Sequence, residues 1–359
     1  MEKNASGGKC FFAAANSGYG FYSFYGDIFE EGGITERFII KGGPGTGKSR
    51  FMKEVAYRAQ MKDYEVETYA CSSDPSSLDG VTVNMKNGKR LCVLDGTAPH
   101  VCEASLPGAR DTIINFCDFW DSARLREQRR EIIELGEKKA RGYYSASDSI
   151  RSALLIQRET EKATSEAVDR EKIASFLKRY LSSKDRSEEY FERIGLASSF
   201  GMFGEYNLKT YSALADRLVV IDNSLRNASA FLEEALRLAR GNGISSYRSY
   251  NFLDPHRLDA VFLCGMGLCF ISSDLLSEEE ERDGISHVGM QRFTDKATAR
   301  AQKECIKRTD NLKKEIFKNA LADMKRMQAA HFELERIYAE SMDFSKKEEF
   351  TSEWLAKHL

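Results

Sequence analysis

Between residues 37 and 57 the chain sets an apolar run, a glycine loop and an amphipathic run end to end, and few folds accommodate that order. Arg37-Phe38-Ile39-Ile40-Lys41 reads as a short buried strand, and Gly42-Gly43-Pro44-Gly45-Thr46-Gly47-Lys48-Ser49 follows without a spacer. The loop matches G-x-x-x-x-G-K-[ST] at every fixed position. The next residues have helical character, with apolar side chains at Phe51, Met52 and Val55. Strand, loop and helix in this order predict an α/β lobe of the P-loop NTPase type with a mainly parallel sheet.

The residue types fit one chemistry. Glycines let backbone N–H groups approach phosphate oxygens with no Cβ in the way, and the new helix points its positive end at the same anion. Gly43, Pro44, Gly45, Thr46, Gly47, Lys48, Ser49 and Arg50 are the expected nucleotide-binding residues. Lys48 would reach the β- and γ-phosphates, and the Ser49 hydroxyl would ligate Mg²⁺. The expected ligand is a nucleoside triphosphate, ATP with Mg²⁺.

A second apolar run, Lys89-Arg90-Leu91-Cys92-Val93-Leu94, ends in Asp95-Gly96-Thr97-Ala98-Pro99-His100. A strand-terminal Asp is the usual metal-side companion of such a loop, so Asp95 joins Ser49 as a metal ligand and Lys48 as a catalytic residue. Gly96 stands where many P-loop ATPases carry a water-activating Glu, which leaves the base unassigned. Asp74 and Asp79, after the expected strand Glu65-Val66-Glu67-Thr68-Tyr69-Ala70, are candidates, as is His100; each reads equally well as a turn or cap residue.

The chain also repeats itself. Asp74-Pro75-Ser76-Ser77-Leu78-Asp79-Gly80-Val81 returns as Asp254-Pro255-His256-Arg257-Leu258-Asp259-Ala260-Val261, a shift of 180 (254 − 74). That shift lays residues 37–40 on Arg217-Leu218-Val219-Val220 and Ser49 on Ser229. With slightly smaller shifts, residues 91–95 meet 268–272 and residues 119–123 meet 293–297. The series predicts two domains, 1–193 and 194–359, each a P-loop-like lobe followed by a long helical arm. The second copy lacks the chemistry: Asp222, Leu225, Asn227 and Ala228 stand where the first has Gly42, Gly45, Gly47 and Lys48, and Ser272 stands for Asp95.

The arms are expected at about 121–194, broken into a hairpin near Gly142-Tyr143-Tyr144-Ser145, and at about 296–342, with a short helix around Trp354 at the end. They offer a surface to a protein partner. A net charge of −2 indicates no nucleic-acid field, and no apolar run is long enough to span a bilayer. The polar first nine residues lack a signal-peptide core, and eight scattered cysteines without a Cys-x-x-Cys pair read as reduced thiols, so the expected compartment is the cytoplasm.

Gly20-Phe21-Tyr22-Ser23-Phe24-Tyr25, the P-loop with Ile40-Lys41 before it, Cys71-Ser72-Ser73-Asp74-Pro75, residues 95–100 and Phe116-Cys117-Asp118-Phe119-Trp120-Asp121 occur in that order. In these segments the chain resembles a bacterial family of two-lobed P-loop ATPase-like proteins whose cellular function is unassigned. The resemblance covers nearly the whole chain, most strongly before Asp121, and implies nucleotide binding without adding a substrate. Both halves of such proteins can carry a P-loop; this chain departs from that at 222–229. Three readings follow: an NTPase that moves one lobe against the other, a small-molecule or nucleotide kinase, and a nucleotide-dependent scaffold with negligible turnover. Phosphate release without an acceptor separates the first from the others, and acceptor-dependent ATP consumption marks the second.

Overall fold

In strand β4 (Glu36–Lys41) the consecutive residues Phe38, Ile39 and Ile40 are all buried, so both faces of their sheet are covered. The computed structural model describes residues 8–30, 33–99, 101–181, 186–276 and 284–359. Before β4 come β1 (Lys9–Phe12), a hairpin of β2 (Ala14–Ser17) and β3 (Gly20–Ser23), and helix α1 (Tyr25–Phe29). After it come α2 (Lys48–Gln60), β5 (Glu65–Ala70), β6 (Leu78–Asn84), β7 (Arg90–Asp95) and β8 (Asp111–Asn115). The sheet runs in the order β1-β5-β6-β7-β4-β8. Strand β6 is antiparallel to both neighbours, and the remaining pairings are parallel. Helices α3 (Ser122–Glu127), α4 (Arg129–Glu166) and α5 (Arg170–Leu177) follow.

The second lobe repeats this plan. It holds β9 (Glu192–Ile194), the hairpin β10 (Ser198–Gly201) and β11 (Gly204–Asn207), α6 (Thr210–Leu214), β12 (Arg217–Ile221), α7 (Ala228–Gly241), β13 (Ser246–Tyr250), β14 (Leu258–Leu263), β15 (Leu268–Ser272) and β16 (Ile285–Val288). Its sheet order, β9-β13-β14-β15-β12-β16, matches the first strand for strand, with β14 as the antiparallel member. Even the irregularity between Tyr69 and Ala70 in β5 recurs between Ser249 and Tyr250 in β13. The protein is thus α/β, with two sheet-containing lobes of mainly parallel strands. The two sheets meet at β1: Phe12 and Leu196, just past β9, exchange backbone hydrogen bonds of 2.9 and 3.0 Å, and Phe11 stacks on Tyr247 of β13. A core built from both lobes lies between them.

The arms are exchanged. Helix α4 leaves the first lobe and ends against the second, where α5 packs Ile173 and Leu177 into the core that holds Phe231 and Phe293. Helices α8 (Lys296–Glu340) and α9 (Phe344–His358) do the reverse: α9 seats Trp354 against Phe38 and Phe51 of the first lobe. Asp121, Asp169, Asp295 and Asp343 each accept a backbone N–H as N-caps, which fixes where α3, α5, α8 and α9 begin. Among the described residues no helix is long and apolar enough to cross a membrane.

Two expectations about the first arm are corrected. Helix α4 runs unbroken through Gly142, because α8 crosses there: a Cβ at Gly142 would lie 3.1 Å from Met327 backbone and side-chain atoms, so this glycine permits a close approach and not a turn. The helices also stop at Leu177, well short of Ile194. Residues 192–194 are the edge strand β9, which the second sheet takes in parallel to β13 as the first sheet takes β1.

Candidate functional site

Strand β4 delivers the chain to 42–47, and α2 starts at Lys48. Gly45 and Gly47 have φ of +69° and +82°, the left-handed region that turns successive N–H groups inward. Thr46 Oγ1 donates to the Gly43 carbonyl at 2.9 Å and pins the loop. The N-cap of α2 is Gly47, which has no side chain to offer the first N–H groups of the helix. Lys48 Nζ donates to the carbonyls of Gly42 and Gly43 at 3.0 and 2.7 Å and stands 3.6 Å from Asp95 Oδ2. The other oxygen, Asp95 Oδ1, accepts from Thr97 N and Oγ1 at 2.9 and 2.5 Å. Strand pairing of β4 with β7, Ile40 opposite Asp95, is what brings the carboxylate beside the loop.

These groups open on one cavity of ≈ 810 Å³, which Gly43, Pro44, Gly45, Thr46, Gly47, Lys48, Ser49, Arg50 and Asp95 all line. Two of them hold other partners as well. Ser49 Oγ accepts the Leu78 N–H at 2.9 Å and ties α2 to β6. The Arg50 guanidinium, 78% exposed, pairs with Glu348 of α9 at 3.3 Å, so what Arg50 offers the loop is its backbone. Of the base candidates, Asp74 accepts from Ser76 N, Ser76 Oγ and Ser77 Oγ and closes its own turn. Asp79 is buried in β6. His100 lies outside the described residues.

Residues of the exchanged arms close the cavity: Lys139 and Tyr143 of α4, and Gln328, His331, Phe332 and Glu335 of α8. None of them stood out in the sequence. The repeat held a trace of them: the offset of the arms, 174 (295 − 121), carried onward sets Glu335 on Glu161 and His331 on Gln157. Burial, with Lys139 and Lys48 nearby, pushes His331 down to about 4, so its imidazole is neutral at pH 7. Burial first, then Asp74, raises the Glu335 carboxyl above its ordinary value; Lys48, Lys139 and the Gly45 N–H oppose this.

The same place in the second lobe is filled by its own side chains. The Ala228 N–H that starts α7 donates to Asn223 Oδ1 at 3.0 Å, and Ser224 N and Oγ donate to Asp222. Arg226, at the position of Thr46, pairs with Asp274 at 3.2 Å and Asp310 at 2.6 Å. The remaining cavity is ≈ 340 Å³. Ser229 Oγ accepts the Leu258 N–H at 2.9 Å, as Ser49 accepts Leu78, which accounts for the hydroxyl that survives there. No family model, curated protein or solved structure matches the chain.

Proposed function

We propose that the first lobe is a P-loop NTPase-like domain that binds ATP with Mg²⁺ and hydrolyses it, and that the second lobe is its degenerate duplicate. One contrast carries the reading. An uncapped helix start, two left-handed glycines, Lys48 and Asp95 converge on the larger cavity, while the equivalent helix start in the second lobe is already taken by Asn223. Ser49 and Asp95 are the residues that would hold Mg²⁺, with phosphate oxygens and water completing its shell. Phosphate release from Mg²⁺–ATP without any added acceptor is the deciding measurement; a chain that binds ATP yet releases no phosphate is not an ATPase. Asp95→Asn is expected to lower Mg²⁺-dependent turnover about 100-fold while metal-free nucleotide binding is nearly unchanged. Normal turnover of this variant at low Mg²⁺ would reduce Asp95 to a turn residue.

Stoichiometry is a second check. Calorimetry with a non-hydrolysable ATP analogue and Mg²⁺ is expected to give one site per chain. Asp222 places a carboxylate where a phosphate would sit, and like charges about 4 Å apart repel by about 4 kcal/mol at an effective dielectric of 20. Arg226 does not offset this, because Asp274 and Asp310 already hold it. A second site mapping to 222–229 would show that lobe to be functional.

A kinase reading has one observation in its favour: Phe21, Tyr143, Met327 and Phe332 give the cavity an apolar wall on which an acceptor could rest. ATP consumption that needs an added metabolite would establish it. The eight cysteines are free thiols, in keeping with a cytoplasmic compartment.

A further inference from the structure

Hydrolysis needs a group that takes a proton from the attacking water, and the position after Asp95 cannot supply it. A Cβ at Gly96 would run into Cγ2 of Ile39, which is itself wholly buried in β4. Asp74 is engaged by three donors of its own turn, and Asp95 sits beside Lys48 on the metal side. The arm from the opposite lobe brings another carboxylate. The backbone of α8 touches the loop at Glu335: a Cβ on Gly45 would overlap the Glu335 carbonyl oxygen, so the loop and this residue meet at closest approach. The Glu335 side chain, 39% exposed, lines the cavity, with the Gly45 N–H, Lys48 and Lys139 acting on its carboxyl. His331 Nε2, one helical turn back, lies 3.5 Å from Glu335 Oε1.

We propose that Glu335, carried to the first lobe by α8, is the general base for hydrolysis at the P-loop; this rests on the NTPase reading above. The water oxygen forms a bond to the γ-phosphorus as its proton passes to the Glu335 carboxylate. The bond from the γ-phosphorus to the β,γ-bridging oxygen breaks, and its electron pair stays on ADP. The proton then leaves Glu335 for the phosphate product or solvent, and the carboxylate is restored. Burial that raises its proton affinity suits this role. Helix α8 begins in the second lobe, where Asp310 holds Arg226, and its far end is fixed to the first lobe by Leu334 and Ile337 against Leu135 and by the Asp121 N–H on the Ser341 carbonyl.

The second lobe supplies the control. Glu161, the counterpart of Glu335 on α4, faces the filled loop and pairs with Arg257 at 3.6 Å. Fluorescent ATP-analogue binding and phosphate release should be measured on the full chain for wild type, Glu335→Gln, Glu335→Asp and Glu161→Gln. Glu335→Gln is expected to bind nucleotide within about threefold of wild type and to release phosphate about 100-fold more slowly, the scale of a lost general base. Glu335→Asp, which keeps a carboxylate, should turn over faster than Glu335→Gln, and Glu161→Gln should match wild type. Glu335→Gln within tenfold of wild-type turnover, or no slower than Glu335→Asp, overturns the assignment and leaves the NTPase reading standing. Tighter binding with faster turnover in Glu335→Gln also overturns it, by making Glu335 a competitor for the phosphate seat. A wild-type chain that binds no nucleotide overturns both.

Discussion

Lys48→Ala is expected to abolish tight binding of Mg²⁺–ATP, with turnover lost and the fold kept. Lys48 Nζ sits over the Gly42 and Gly43 carbonyls and 3.6 Å from Asp95, so it is already held where a phosphate chain would meet it. Hydrogen bonds to charged groups are worth about 1.5–3 kcal/mol each, so losing two of them weakens binding about 100-fold or more. The fold does not lean on this ammonium. Its partners are loop carbonyls at a cavity that water can reach, and the shift in thermal midpoint should stay within about 3 °C. Titration with a fluorescent ATP analogue and a melting curve on the same sample make the check. Unchanged affinity in the variant would remove the P-loop from the account of this protein.

What could be read in advance was whatever rests on local periodicity or on a short motif. Strands β4, β5 and β7 are apolar runs of the right length, and the bounds of those runs fall within a residue of the strand ends. Strand β6 is hidden in the sequence, because Asp79 and Gly80 interrupt its apolar run; its middle is buried all the same, since it lies between two other strands. The repeat gave the second lobe's plan, including the loss of the lysine and glycines. It did not give the hydrogen bond that Ser229 Oγ accepts from the Leu258 N–H, a structural use of the hydroxyl that Ser49 shares.

The arm exchange lay beyond reach for a physical reason. A helical pattern tells which face is apolar, not which lobe that face will meet, and α4 and α8 are long enough to meet either. Gly142 shows the same limit. Taken alone, a glycine in a helical run suggests a break, and only the presence of α8 against it reveals a packing requirement. The cavity therefore has one wall that was legible, the loop and Asp95, and one that was not, the residues Lys139, His331 and Glu335.

The legible wall depends on a buried ion pair at the far end of its strands, and breaking that pair is expected to have the largest effect on stability. Arg37 in β4 is fully buried, and its Nε and Nη2 donate to Oδ1 and Oδ2 of Asp111 in β8 at 2.9 and 2.7 Å. Arg110 Nε and the N–H groups of Ser105 and Leu106 donate to the same carboxylate. Asp111→Asn keeps the shape but turns an acceptor into a donor facing the guanidinium. Arg37 then remains buried with Glu30 as its remaining carboxylate partner, 46% exposed. Removing one partner of a buried pair costs about 3–5 kcal/mol, which for a chain of this size lowers the melting midpoint by roughly 5–15 °C. The sign with pH follows from the carboxyl. Burial raises its pKa, but Arg37 and Arg110 outweigh it and hold Asp111 well below the usual range. The stabilisation is therefore fully present above the unfolded value of about 4 and is lost as pH falls toward the folded one. Melting curves of wild type and Asp111→Asn should differ fully at neutral pH, and the gap should begin to close only as pH falls below about 4, narrowing steadily toward the folded-state value. Curves that coincide at pH 7 would mean that the pair contributes nothing, and that β4 and β8 are held by their backbone ladder alone.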